Sequence, residues 1–310
     1  MDEKLTADDV RAWGERFSNW GRWGDDDQRG TLNFITRERV LDACALPRTG
    51  QVISCALPFD ENGPQTGALG RHNPIHTMLS TGGGSFPGGF EYADDAISMP
   101  LQCGTQWDAL AHVFYDGRMY NGHDASLVTE RGALANSIDR LKEGVVGRGV
   151  LLDLPRLLGQ PWLDDGTRIF PTELDACAEA SGVTVGPGDI LLVRTGKLTR
   201  ALAEGWGSYA SGLAPGLSVH CARWLHEREV SAVATDTGCV EVIPSEVEQC
   251  MLPLHMIAIR NMGLLLGEIF QLDDLARACA EDGTYEFLFA APPLPITGGV
   301  GSPINPLAIR

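Results

Sequence analysis

Between Ser98 and Gly122 the chain reads SMPLQCGTQWDALAHVFYDGRMYNG, and the part from Gln102 to His112 crowds amide, thiol, hydroxyl, carboxylate and imidazole groups around a Gly104-Thr105 turn. Polar groups at that density must be paired, solvated or ligated. Any fold the chain adopts has to be built around them. The preceding residues, Asp95 to Leu101, are partly apolar and β-compatible, which predicts a strand that turns at Gly104, where glycine takes backbone angles closed to other residues. If Trp107 to His112 begins a helix, the spacing of four puts the Asp108 carboxylate and the His112 imidazole on one face, within reach of a shared ion. Such oxygen and nitrogen donors suit Zn²⁺ or Mn²⁺. The same two residues fit a helix cap and a hydrogen-bonded core histidine equally well.

A second signal lies far downstream. The apolar run Met256 to Leu266 stops at Gly267-Glu268. A carboxylate ending a buried run must be solvated, paired or bound to metal, because burying a bare charge is costly. Glu268 is therefore a ligand candidate on physical grounds.

The Gln102 to His112 stretch resembles the metal-binding motif His-x-Gly-Thr-His-x-Asp-x-Pro-x-His of the putative cyclase family, which includes bacterial kynurenine formamidase and isatin hydrolase. Gly104, Thr105, Asp108 and His112 match, whereas Gln102 and Gln106 stand where the motif has its first two histidines and Leu110 where it has proline. The resemblance continues through Trp23-Gly24-Asp25, Gly30-Thr31-Leu32-Asn33, Asp236-Thr237, Pro253-Leu254-His255, Gly267-Glu268 and Gly301-Ser302-Pro303. It implies an α/β fold with a mixed, barrel-like central sheet and surrounding helices, of the swivelling β/β/α type. It also implies a homodimer or homotetramer, and a histidine and a glutamate that complete the metal site. Carried over residue by residue, Asp108, His112, His255 and Glu268 form one centre.

The two glutamines qualify that expectation. A neutral amide oxygen is a much poorer zinc ligand than imidazole, so the chain is expected to hold one divalent ion at most, zinc or manganese, or none. Gln102 and Gln106 then offer amide donors and acceptors to a substrate carbonyl or a water. The activity implied is metal-assisted hydrolysis of a small amide, formamide, or cyclic imide or lactam. In that scheme His112 or His76 shuttles the proton, Gln106 orients the oxyanion, and Trp23, Phe86, Trp107, Phe114 and Tyr120 form a flat pocket for a ring. Two other readings stay open: metal-independent cyclisation or dehydration by Asp108 and His112 as an acid–base pair, and a non-catalytic small-molecule binding module.

Composition narrows the partners. With 41 acidic and 24 basic residues and a net charge of −17, the chain lacks the basic excess that nucleic acid or an anionic membrane surface selects for. Met1-Asp2-Glu3-Lys4 opens no apolar leader and no run reaches the roughly 20 apolar residues of a membrane span, so a cytoplasmic protein is expected. Eight cysteines without CxxC spacing read as reduced core residues, Cys103 alone lying in the motif. No linker divides the chain, which predicts one domain over 1–310, with 1–35 as an N-terminal helical extension.

Along the chain, helices are expected from Thr6, over Thr36 to Ala45, Ala133 to Glu143, from Pro171, over Ser218 to Glu229 and Leu272 to Asp282. Strands are expected at Gln51 to Phe59, Gly149 to Leu154, Asp189 to Arg194, Val230 to Thr235 and Tyr285 to Ala290. Gly82-Gly83-Gly84 lacks the lysine of a phosphate loop and reads as a lid or mobile loop. Asp236 sits at a strand end as either a support to the site or a turn former. The Gly298 to Pro303 tail either presents N–H groups to a ligand or holds the terminus down.

Overall fold

The computed structural model describes residues 5–84 and 86–310. The Met1 to Lys4 reading and the Ser85 position of the glycine loop lie outside them. A nine-stranded sheet runs in the order Val52–Ser54, Leu307–Ile309, Glu286–Ala290, Val146–Asp153, Ile190–Arg194, Ala232–Thr235, Leu265–Glu268, Gln106–Asp108, Gly301–Pro303. The four middle strands, Val146–Asp153 to Leu265–Glu268, are mutually parallel, and the flanking pairs are antiparallel. Their near-continuous apolar sequences follow from burial on both faces. Val150, Leu152, Leu191, Val193, Val233 and Leu266 share one core with the N-terminal helix and the helix Cys221–Glu227. Leu151, Leu192, Ala232, Ala234 and Leu265 share the other with the helix Asp273–Asp282.

Chain geometry makes the sheet curl. Gly301–Pro303 lies at one end of the sheet and Leu307–Ile309 beside the other, yet an extended chain from Pro303 to Leu307 spans at most about 14 Å. The two ends must therefore approach each other, giving the half-barrel that the mixed, barrel-like expectation described. Hydrogen bonds close the gap: Leu57 N–H donates to Thr105 Oγ1 at 2.8 Å, Thr105 Oγ1–H to the Ile269 carbonyl at 2.6 Å, and Gln271 N–H to the Cys55 carbonyl at 2.9 Å.

Local signals set most helices. Thr6 caps Ala7–Arg16 in a reciprocal box with Asp9, and Thr36 caps Arg37–Cys44. Pro171–Ala180 and Asp273–Asp282 fall where they were expected. The N-terminal helix packs on its own chain, with Val10 and Phe17 in the core and Trp20 Nε1–H donating to the Arg260 carbonyl at 2.7 Å. The Gly30-Thr31 motif docks the following turn. Thr31 N–H and Oγ1–H both reach the Gly263 carbonyl, and a Cβ on Gly30 would stand 2.0 Å from that oxygen.

Three expectations are corrected. Trp107 to His112 is not helical, because Gln106–Asp108 is a buried strand pairing with Leu265–Glu268 on one side and Gly301–Pro303 on the other. The strand before the motif, Ala93–Ser98, belongs to a separate hairpin with Ile75–Thr81. Ala133 to Glu143 forms only a short strand and the turn Ile138–Leu141, since Asn136 adopts a left-handed backbone (φ 59°) and the segment bonds instead to the Gly298–Gly299 tail. That tail acts as a clasp, as one of its two readings held.

Candidate active site

Alternation along the strand Gln106–Asp108 decides which side chains meet. Gln106 and Asp108 point to one side of the sheet. Trp107 points to the other, buried against Phe270 with Nε1–H donating to the Ala291 carbonyl at 2.8 Å. Trp107 is thus a core residue rather than the pocket wall the sequence suggested. Gly104 also has a different reason from the one expected. Its φ is not positive, and a Cβ there would lie 2.6 Å from the Phe59 ring.

Register then brings Gln106 opposite Glu268. The Gln106 Nε2–H₂ group donates to Glu268 Oε2 at 2.9 Å and to Asp108 Oδ1 at 3.4 Å, so one amide ties two buried carboxylates together. Its Oε1 has no protein partner. On the far side of Glu268, His255 Nε2 lies 3.4 Å from Oε1, and on the far side of Asp108, His112 Nε2 lies 3.8 Å from Oδ1. The four predicted ligands therefore fall in one continuous polar strip, as two carboxylate–imidazole pairs joined by Gln106. His112 is partly exposed, which puts the opening of the strip at that end.

Two members of the strip were missed by the sequence reading. Glu241 accepts from His255 Nδ1 at 2.5 Å and from the backbone N–H groups of His255 and Leu254 at 2.8 and 3.0 Å, fixing both the imidazole and the turn Pro253–His255 that carries it. Cys239, His255 and Glu268 offer ligand atoms that all lie within 4.8 Å of one another. Asp108 and His112 stand outside that tighter group. The signal for Glu241 was the one used for Glu268: a lone carboxylate in an apolar run, Cys239-Val240-Glu241-Val242.

Electrostatics follow from burial. Removal from water lifts the Asp108 carboxyl to about 6, with the His112 charge opposing and that of Glu268 reinforcing. For His255, burial alone would depress the imidazole, but hydrogen bonds and charges from Glu241 and Glu268 outweigh it and raise it to about 10. Burial and the neighbouring carboxylates push the Cys239 thiol well above its usual range. Such a concentration of anionic groups is what a cation would offset. The donor set of carboxylate, imidazole and thiol, with Glu241 orienting the imidazole from behind, fits a divalent metal ion.

The remaining predicted residues do not converge here. His76 sits on the exposed hairpin, hydrogen-bonded to Asp95 at 2.7 Å across the two strands, and is a surface pair rather than a proton shuttle. Phe86 packs on Phe90 and Tyr92 of the same hairpin, and Trp23 packs edge-on against Phe34. Tyr120 is fully buried, its hydroxyl donating to Asp27 at 2.9 Å. Phe114, two residues past His112, stays exposed. Gln102 is buried with Nε2 unpartnered and faces Gly301 rather than the carboxylates. Cys103 is buried, its thiol raised to about 11 by desolvation. Asp236 accepts from Thr195 N–H and Oγ1–H and Gly196 N–H, each at 2.7 Å, and so ties two strand ends together instead of bonding within its own turn.

Comparison with known proteins follows the geometry. The sequence profile of the family described as Putative cyclase matches residues 27–242. A crystal structure described as a novel cyclase has a TM-score of 0.89 with this fold, at 39% identity over 96% of this chain and 99% of that one. Isatin hydrolase A from Ralstonia solanacearum shares the fold at TM-score 0.62 and 20% identity, over 83% of this chain and 91% of that one. A protein described as a predicted metal-dependent hydrolase from Bacillus stearothermophilus does so at TM-score 0.52 and 18% identity, over 83% and 97%. No curated protein sequence matches the chain.

Proposed function

Because the chain belongs to the putative cyclase family, we propose that it is a metal-dependent hydrolase cleaving a C–N bond of a small, ring-bearing amide, formamide, or cyclic imide or lactam. One observation carries the reading. Two carboxylates and an imidazole from opposite halves of the sequence, Asp108, Glu268 and His255, meet across a single buried amide where the parallel strand Leu265–Glu268 ends beside the antiparallel strand Gln106–Asp108.

His255 and Glu268 would hold the ion, with Asp108 and His112 adjoining it. When bound, the ion supplies Lewis acidity to the carbonyl under attack and to water. The chain's own groups account for the rest. Gln106 holds the two carboxylates together through Nε2, and its free Oε1 can accept a hydrogen bond from the attacking water or a substrate N–H. His112 lies beside Asp108, and its partly exposed ring can move a proton between the strip and solvent. Water adds its oxygen to the carbonyl carbon, the C–N bond breaks, and the proton released is delivered to the departing nitrogen.

The test joins metal content to turnover. Protein stripped with a chelator and then reloaded with zinc or manganese is assayed on an aryl formamide and on isatin. Restored hydrolysis supports the reading. Hydrolysis or cyclisation that survives stripping would favour the metal-independent Asp108–His112 pair, which the Gln106 bridge between the carboxylates makes feasible without a cation. Ligand binding with no turnover would point to a binding module. The same reading takes the assembly to be a homodimer or homotetramer through the exposed Ile75–Thr81/Ala93–Ser98 hairpin: two isolated strands carrying exposed Met78, Leu79 and Ile97, with exposed Phe90 in the segment between them, need cover.

A further inference from the structure

Resting on the metal-dependent reading above, we propose that Cys239 is a ligand, so that the ion sits in a Cys239–His255–Glu268 site and is zinc in preference to manganese. The motif histidines replaced by Gln102 and Gln106 leave the family pattern short of strong donors, and Cys239 enters from a different element. It lies in the turn after the strand Ala232–Thr235, two residues beyond the Asp236-Thr237 pair of the resemblance.

Geometry makes the case. The Cys239 Sγ, a His255 ring nitrogen and a Glu268 oxygen lie within 4.8 Å of one another, and the His255–Glu268 edge of 3.4 Å is about that of a tetrahedral site with ligands near 2.0–2.1 Å. The turn bearing Cys239 is fixed on both sides. Thr237 Oγ1–H donates to the Cys239 carbonyl, Ile269 N–H, next to Glu268, donates to the Thr237 carbonyl at 2.9 Å, and Leu217 N–H donates to the Val240 carbonyl at 3.0 Å. A second, independent sign of a ligand is the fully buried Gln106, whose Oε1 has no partner although its Nε2 contacts Glu268. Cys239 itself is partly exposed, so the group is not sealed from solvent. A thiolate is a soft donor, which selects zinc over manganese. Glu241 behind His255 supplies the carboxylate–histidine support such sites use.

Cobalt(II) is the probe, since thiolate ligation gives it an intense near-ultraviolet charge-transfer band. The full chain, stripped and reloaded with cobalt, is expected to show that band at about one ion per chain. Cys239→Ser is expected to lose the band while still taking up cobalt more weakly, and Cys103→Ser to keep it. Circular dichroism of both variants checks that they fold. Cobalt bound without the band, or a band that survives in Cys239→Ser, overturns the assignment of Cys239 but leaves the metal-dependent reading standing. Failure of the unaltered chain to bind cobalt or zinc at all overturns both.

Discussion

The strand Gln106–Asp108 and the hairpin Ile75–Thr81/Ala93–Ser98 look alike as sequences: each combines β-compatible residues, an aspartate and a nearby histidine. The structure treats them oppositely. In the hairpin nearly every residue is exposed, and the His76–Asp95 pair is bathed in solvent, with side chains 54% and 60% exposed. In the strand all three residues are buried, and the Asp108 carboxylate is 1% exposed. An imidazole and a carboxylate in contact therefore mean little by themselves. What separates an ion pair worth nothing measurable from a functional centre is removal from water, which makes each unmatched charge expensive and each match informative.

Several substitutions sharpen or break that contrast. The largest effect is expected at the buried end: Asp108→Ala should lower hydrolysis by about 10²–10⁴-fold, the usual worth of a positioned proton-handling group, in steady-state assays. A smaller loss would move Asp108 out of the chemistry. Next, Glu241→Gln removes the carboxylate behind His255 and should weaken metal binding by about 10–100-fold, measured by competition with a chromophoric chelator. The barrel seam supplies the third: Thr105→Val leaves Leu57 N–H and the Ile269 carbonyl without their buried partner and should cost about 1–3 kcal/mol in denaturant unfolding.

The fourth uses pH. Burial holds the Asp108 proton up to about 6 in the folded chain, against about 3.9 in an unfolded one. The folded state binds that proton more tightly, so the residue's contribution to stability declines as pH rises from 4 through 6 and is constant above. In metal-free protein, Asp108→Asn should gain melting temperature relative to the unaltered chain across that window. An unchanging difference would mean that Asp108 titrates normally. Smallest of all, His76→Ala should shift stability by less than about 0.5 kcal/mol and leave turnover unchanged. A large effect there would erase the distinction between the two regions.

How much of this was legible in the sequence depended on range. Caps at Thr6 and Thr36 are local, and the helices they start fell where they were expected. Glu268 was legible because the cost of burying a charge can be read from the apolar run before it. The Trp107 to His112 segment was misread because a four-residue spacing looks helical, whereas pairing with two remote strands overrode that preference. The same pairing sent Trp107 into the core, since neighbours on a strand face opposite ways. Cys239 and Glu241 were passed over because no motif marks them. Only the register between the Ala232–Thr235 and Leu265–Glu268 strands brings their turn beside Glu268.

The central claim is that the buried strip exists to hold a cation. Calorimetric titration of the stripped chain with zinc, in two buffers of different ionisation enthalpy at neutral pH, tests it most directly. His255 is held protonated by Glu241 and Glu268, and the Cys239 thiol is pushed well above its usual range. Both must give up their protons to bind metal. The account predicts saturation at about one zinc per chain with net proton release; a chain that takes up no zinc yet hydrolyses its substrate at full rate would contradict it.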